Sequence, residues 1–171
     1  MSITIIIGCM SSGKTEELLR LAKRYEIGKK KVLYVKPSID TREDKIYTHN
    51  GNNKSCIIVK KLSEIIIDIK TYDIIAIDEI QFFDDCEEMC DYFANNGYIV
   101  IAAGLDSNFQ RNAFKNVTNL ISKAEKVIKL SAICDICGNK ASFSKRIDIN
   151  NKNLIEIGNK DKYQSVCRKC F

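Results

Sequence analysis

The stretch from Thr4 to Gly28 constrains this chain more than any other. An apolar, β-branched run, Thr4–Ile7, leads into Gly8-Cys9-Met10-Ser11-Ser12-Gly13-Lys14-Thr15. Leu18, Leu19, Leu21, Ala22 and Tyr25 then follow at helical spacing up to Gly28. The run reads as a buried strand, and the spacing as a helix stopped by glycine. The turn between them fits G-x-x-x-x-G-K-[ST] in full. Its glycines let the backbone curl so that N–H groups converge on phosphate oxygens. Lys14 can reach the β- and γ-phosphates, and the Thr15 hydroxyl can hold Mg²⁺. The helix behind adds the positive end of its dipole. Four fixed positions recur by accident in about one chain in two hundred. The strand before and the helix after favour a nucleotide site over an accident.

Beyond Gly28 the same alternation continues. Val32–Val35, Cys56–Val59, Ile74–Ile77, Tyr98–Ala103 and Val127–Ile133 read as strands, and Leu62–Ile69 and Asp84–Asn95 as helices. Pro37 closes the second strand, and the polar residues 38–55 read as a loop. Strands alternating with helices predict βαβ units around a parallel sheet. With 171 residues, 45% of them apolar, a core can form and disorder is excluded. A net charge of +5 is too mild to argue for nucleic acid, and no apolar run approaches the ~18 residues of a membrane span. The apolar N-terminus lacks a basic region ahead of it, so the expectation is an intracellular chain with reduced thiols.

Ile74–Ile77 ends in Asp78-Glu79. An Asp at such a strand exit holds Mg²⁺ in phosphate-loop enzymes, and Glu79 could orient or deprotonate a nucleophile. Water in that role would make an ATPase, and a substrate hydroxyl a kinase. The pair alone leaves both open.

Eight cysteines in a reduced compartment need a reason. Cys134-Asp135-Ile136-Cys137 and Cys167-Arg168-Lys169-Cys170 form two C-x-x-C pairs, which suit a closed, structural Zn²⁺ site. The 29 residues between the pairs, 138–166, exceed a compact zinc ribbon, so the metal would pin the base of a long loop. Cys86 and Cys90 are four apart on the expected helix and read as packing residues. Composition shifts near Cys134, which suggests units of residues 1–133 and 134–171. His49, the one histidine, lies in the polar loop, and Lys29-Lys30-Lys31 reads as a solvated helix exit.

Taken in order, these motifs resemble the type II thymidine kinases, the cytosolic cellular and poxvirus family. The resemblance runs through Gly8–Thr15 with Glu17-Leu18, Asp40-Thr41-Arg42, Thr48-His49 and Asp78-Glu79-Ile80-Gln81-Phe82-Phe83. It continues through Ala103–Arg111 with Phe114, then Lys129–Ala132, Ser144-Lys145-Arg146 and Asp161–Cys170. It implies a RecA-like phosphate-loop α/β domain (residues 1–133) and a small zinc-binding domain (134–171) carrying a lasso loop. It implies transfer of the ATP γ-phosphate to the thymidine 5′-hydroxyl, with Glu79 as general base and Mg²⁺ held by Thr15 and Asp78. ATP would be bound by Gly8, Cys9, Met10, Ser11, Ser12, Gly13, Lys14, Thr15, Asp40, Thr41, Arg42, Asp78 and Gln81. The nucleoside would meet Met10, Phe82, Leu105, Phe109, Phe114, Ser144, Leu154, Ile155, Glu156, Ile157, Gly158 and Tyr163. Zn²⁺ on Cys134, Cys137, Cys167 and Cys170 would anchor the lasso as a lid that excludes water. A cytoplasmic homotetramer inhibited by dTTP is also implied, with neither nucleic acid nor membrane as a stable partner. The chain departs from the usual family residues at Cys9, Ser11, Ile80 and Asn159. The alternative from another class is a zinc-containing phosphate-loop ATPase acting on nucleic acid.

Overall fold

A computed structural model describes residues 1–40, 45–47, 53–148 and 162–171. The strands are β1 (Ser2–Gly8), β2 (Val32–Pro37), β3 (Lys45–Tyr47), β4 (Asn53–Ser55), β5 (Ile57–Val59), β6 (Ile74–Ile77), β7 (Ile99–Gly104), β8 (Lys126–Leu130), β9 (Ala132–Ile133), β10 (Lys140–Ala141), β11 (Phe143–Arg146) and β12 (Tyr163–Val166). The helices are α1 (Lys14–Ile27), α2 (Cys86–Asn95) and α3 (Lys115–Lys123). Six strands make one parallel sheet in the order β5-β2-β6-β7-β1-β8. Three small antiparallel pairs accompany it: β3 with β4, β9 with β10, and β11 with β12.

Near-continuous apolar runs are what a sheet covered on both faces requires. Ile5, Ile75, Ile77, Val100 and Ala102 face one way and pack on Phe93 of α2 and Leu120 of α3. Ile6, Ile74, Ala76, Ile101 and Ala103 face the other and pack on Leu18 and Ala22 of α1. Neighbouring residues thus serve opposite cores, as the two-residue period of a strand dictates.

Residues 38–55 are not loop throughout, because Lys45–Tyr47 and Asn53–Ser55 pair antiparallel as β3 and β4, and two further expectations change. Leu62–Ile69 is not one helix but two 3₁₀ turns, Leu62–Ile65 and Ile69–Thr71. The β-branched Ile65-Ile66-Ile67 run resists an α-helix, and Asp85 instead takes the Leu62 and Ser63 N–H groups at 3.1 and 3.0 Å. Val127–Ile133 divides at Ser131. β8 ends at Leu130 because its partner β1 ends at Gly8, and β9 pairs separately with β10. Helix α3 lies beyond the elements that the sequence pattern marks. Its apolar face holds only Val117, Leu120 and Ile121 among polar neighbours.

Candidate active site

Because the six strands run parallel, their C-terminal ends share one edge. Gly8, Pro37, Asp78 and Gly104 therefore come to the same side of the sheet. Ligands of open parallel sheets bind at that edge. There β1 turns into α1 through residues 8–15. Gly8 has φ +154°, and a Cβ on it would lie 2.6 Å from the Leu130 carbonyl oxygen and 2.8 Å from Ser12 Oγ. Gly13, at φ +82°, sits in the left-handed region and opens α1. Ser12 Oγ and Lys14 Nζ both donate to the Cys9 carbonyl, at 2.8 and 2.7 Å. The loop is therefore curled around that oxygen, with the lysine ammonium folded over it.

Across the edge, Thr15 Oγ1 donates to Asp78 Oδ2 at 3.0 Å. The other Asp78 oxygen accepts the Glu79 N–H at 3.0 Å. Burial first, and the charge of Glu79 second, push the Asp78 carboxyl up to about 7. A buried carboxylate and a hydroxyl so placed fit a hard cation such as Mg²⁺, whose charge would relieve both effects.

Glu79 has φ +51° and caps the 3₁₀ turn Ile80–Phe82, so the strand direction ends there. Gln81 Nε2 donates to Glu79 Oε2 at 2.6 Å, and Gln81 Oε1 accepts the Leu105 N–H at 3.0 Å. Gly104 leaves the room for this: a Cβ there would strike Gln81 Oε1 and lie 2.7 Å from Ile80 Cγ2. Ile80 is fully buried in the core, so the branched side chain at this position finds its space above Gly104. Asn116, near the start of α3, donates from Nδ2 to the carbonyls of Gln81 and Phe83 at 3.1 and 3.0 Å, which fixes the turn from below.

The remaining expected residues fall around this centre. Asp40, just beyond β2, is buried and paired with buried Lys36 at 3.6 Å. Thr41, Arg42, Thr48, His49 and the stretch Leu154, Ile155, Glu156, Ile157 and Gly158 lie outside the described residues, as does Asn159. Met10, Phe82, Leu105, Phe109, Phe114 and Tyr163 are half-buried. Phe109 and Tyr163 meet at Arg146. Its guanidinium carbon is 3.9 Å from the Phe109 ring centroid, a cation–π distance, and Nη2 donates to the Tyr163 hydroxyl at 3.1 Å. Arg146 and Asn116 carried no sequence expectation of a role. Arg146 lay inside a recognised motif, whereas no periodicity or spacing marks Asn116.

The thiol sulfurs of Cys134, Cys137, Cys167 and Cys170 lie within 4.8 Å of one another. Cys137 Sγ is 3.6 Å from Cys167 Sγ. Tetrahedral Zn–S bonds of about 2.3 Å set sulfurs roughly 3.8 Å apart, so the donor set fits zinc. Cys86 and Cys90 pack in the core, where burial pushes the Cys86 thiol up to about 12 and the Cys90 thiol up as well. Cys9 is also buried, and burial raises its thiol, which argues against a reactive cysteine in the loop.

A phosphate loop on β1, an acidic pair at the exit of β6 and a tail of four converging thiols define a phosphate-loop α/β protein whose cysteine cluster could hold a metal ion. Known proteins narrow that class. A family model described as thymidine kinase matches residues 1–171. The thymidine kinase of Yaba monkey tumor virus is 49% identical over 170 residues, covering 99% of this chain and 93% of that protein. Those of raccoon poxvirus and of vaccinia virus (strain Western Reserve) are 47% and 46% identical over 170 residues, each covering 99% of this chain and 96% of its relative. The chain belongs to the thymidine kinase family. No helix among the described residues is long and apolar enough to cross a membrane.

Proposed function

We propose that this chain transfers the γ-phosphoryl group of ATP to the 5′-hydroxyl of thymidine, giving dTMP and ADP. One observation carries the assignment beyond family membership. The Thr15–Asp78 hydrogen bond of 3.0 Å supports this reading, because Glu79 is the next residue after Asp78 and its N–H bonds the same carboxylate. A carboxylate there can take the proton of an incoming hydroxyl as its oxygen attacks the γ-phosphorus and ADP departs.

In this reading the loop N–H groups and Lys14 bind the phosphates, and Asp40, Thr41 and Arg42 complete the ATP site. Thr15 and Asp78 hold Mg²⁺, which when bound neutralises charge on the transferring phosphate. Gln81 orients Glu79. Met10, Phe82, Leu105, Phe109, Phe114, Ser144 and Tyr163 surround the nucleoside, with residues 154–158 over it. Cys134, Cys137, Cys167 and Cys170 hold structural Zn²⁺, and residues 134–171 act as a unit anchored by it. The proposal extends to a cytoplasmic homotetramer inhibited by dTTP.

The test is a nucleoside panel with γ-labelled ATP, scored for 5′-monophosphates. Label should reach thymidine. ATP hydrolysis at the same rate without any nucleoside would move the assignment to an ATPase.

A further inference from the structure

We propose that Ser144, Ser165 and Asp135 are positioning residues for the phosphate loop, through which the four-cysteine knuckle sets the ATP site. Ser144 on β11 and Ser165 on β12 are direct register partners, so their side chains leave the same face of the ribbon side by side. Both grip one loop residue. Met10 N–H donates to Ser144 Oγ at 3.0 Å, and Ser165 Oγ donates to the Met10 carbonyl at 2.7 Å. The two serines are only 4% and 2% exposed, so the grip is shielded from competing water.

The grip falls where the loop needs it. The Met10 carbonyl belongs to the peptide plane that enters Ser11, and Ser11 has φ +58° without being glycine. A left-handed serine persists only when its surroundings hold it. Ser165 fixes the plane on which that rotation turns. Cys9, the preceding residue, is plugged into the small core of the tail with Ala132, Cys134, Ala141 and Val166. Its thiol donates to the Ala141 carbonyl at 3.4 Å.

The other end of the connection lies between the first two cysteines. Asp135 N–H donates to the Ser165 carbonyl at 2.9 Å, and the Asp135 carboxylate accepts the Ser165 N–H at 2.6 Å. Asp135 is covalently next to Cys134. A continuous run of contacts therefore joins the metal-binding turn, Ser165, Met10 and the strained Ser11. Ser144 uses its hydroxyl oxygen on the loop itself, in addition to any contact with a nucleoside. On this account the knuckle does more than anchor a lid: it presets the ATP cradle before nucleoside arrives.

The inference rests on the ATP-binding reading above, and one experiment separates the two. Titrate wild type, Ser165→Ala, Asp135→Ala and the double variant with a fluorescent ATP analogue and Mg²⁺, without nucleoside. Measure bound zinc and the thymidine KM in parallel. Ser165→Ala should weaken analogue binding about three- to ten-fold, the scale of one lost hydrogen bond. Bound zinc should stay at the wild-type level and the thymidine KM should move less than about two-fold. Asp135→Ala should weaken binding similarly, and the double variant should be no weaker than the worse single, because both act along one path. Should Ser165→Ala not fold, Ser144→Ala tests the same grip from its other side by analogue binding and bound zinc alone, because Ser144 also belongs to the proposed nucleoside site and its thymidine KM is no control. Unchanged analogue binding with zinc retained would overturn the inference, as would fully additive losses. Wild type that binds no analogue would overturn the ATP reading itself.

Discussion

Gln81 holds Glu79 in place: its amide nitrogen lies 2.6 Å from Glu79 Oε2, while its amide oxygen accepts the Leu105 N–H at 3.0 Å. The carboxylate assigned as base is thereby tied to β7, the strand that leads into Leu105. Gln81→Leu keeps the volume but removes both bonds. It should lower kcat about 10- to 100-fold, the cost of a base out of position, with ATP affinity within about two-fold. A variant that loses ATP affinity and keeps kcat would place Gln81 among the ATP ligands instead.

Asp78 trades stability for its site. Its carboxyl moves from 3.8 up to about 7 in the fold, so between those values the folded chain binds the extra proton. Its contribution to stability is fully present below about pH 4 and is lost as pH rises through about 7. Asp78→Asn suffers no such loss. At pH 8, without ligands, the variant should melt several degrees above wild type, and the gap should close toward pH 4 in a melting series. Equal melting at pH 8 would show that the carboxylate carries no burial cost. The same variant should lose phosphoryl transfer.

Gly104 is required by packing rather than by dihedral freedom. A Cβ there would collide with Gln81 Oε1 and crowd Ile80 Cγ2 at 2.7 Å. Gly104→Ala should cost about 1–3 kcal/mol, read as a lower melting temperature, and should lower kcat as well, because Gln81 must move away from Glu79. Destabilisation without any effect on kcat would uncouple the two contacts.

Loss of the cysteine set should reach both substrates. Cys137→Ser removes one of the four sulfurs. It should release zinc, lower the melting temperature and raise the thymidine KM, because the lasso loses its anchor. Through Ser165 it should weaken ATP as well. Metal analysis with two-substrate kinetics checks this, and an unchanged thymidine KM with the metal gone would refute the anchor.

What the sequence shows and hides follows from the range of each interaction. The phosphate loop is local: a strand, two glycines and a helix start lie within Ser2–Ile27, so motif and geometry coincide. The cysteine pairs are legible for the same reason, since each C-x-x-C is one turn. Residues that work across the fold are harder to read. Asn116 reaches Gln81 from 35 positions away, and Ser165 reaches Met10 from 155, and no spacing announces either bond. The 62–69 segment misleads because its apolar spacing suits a helix while Asp85 stabilises a tighter turn.

In the proposed reaction Glu79 removes the proton of the thymidine 5′-hydroxyl. Single-turnover transfer from γ-labelled ATP, with wild type and Glu79→Gln at saturating substrates, tests it most directly. The transfer rate should fall about 10²- to 10⁴-fold while ATP and thymidine still bind. Transfer at the wild-type rate by Glu79→Gln would contradict the account.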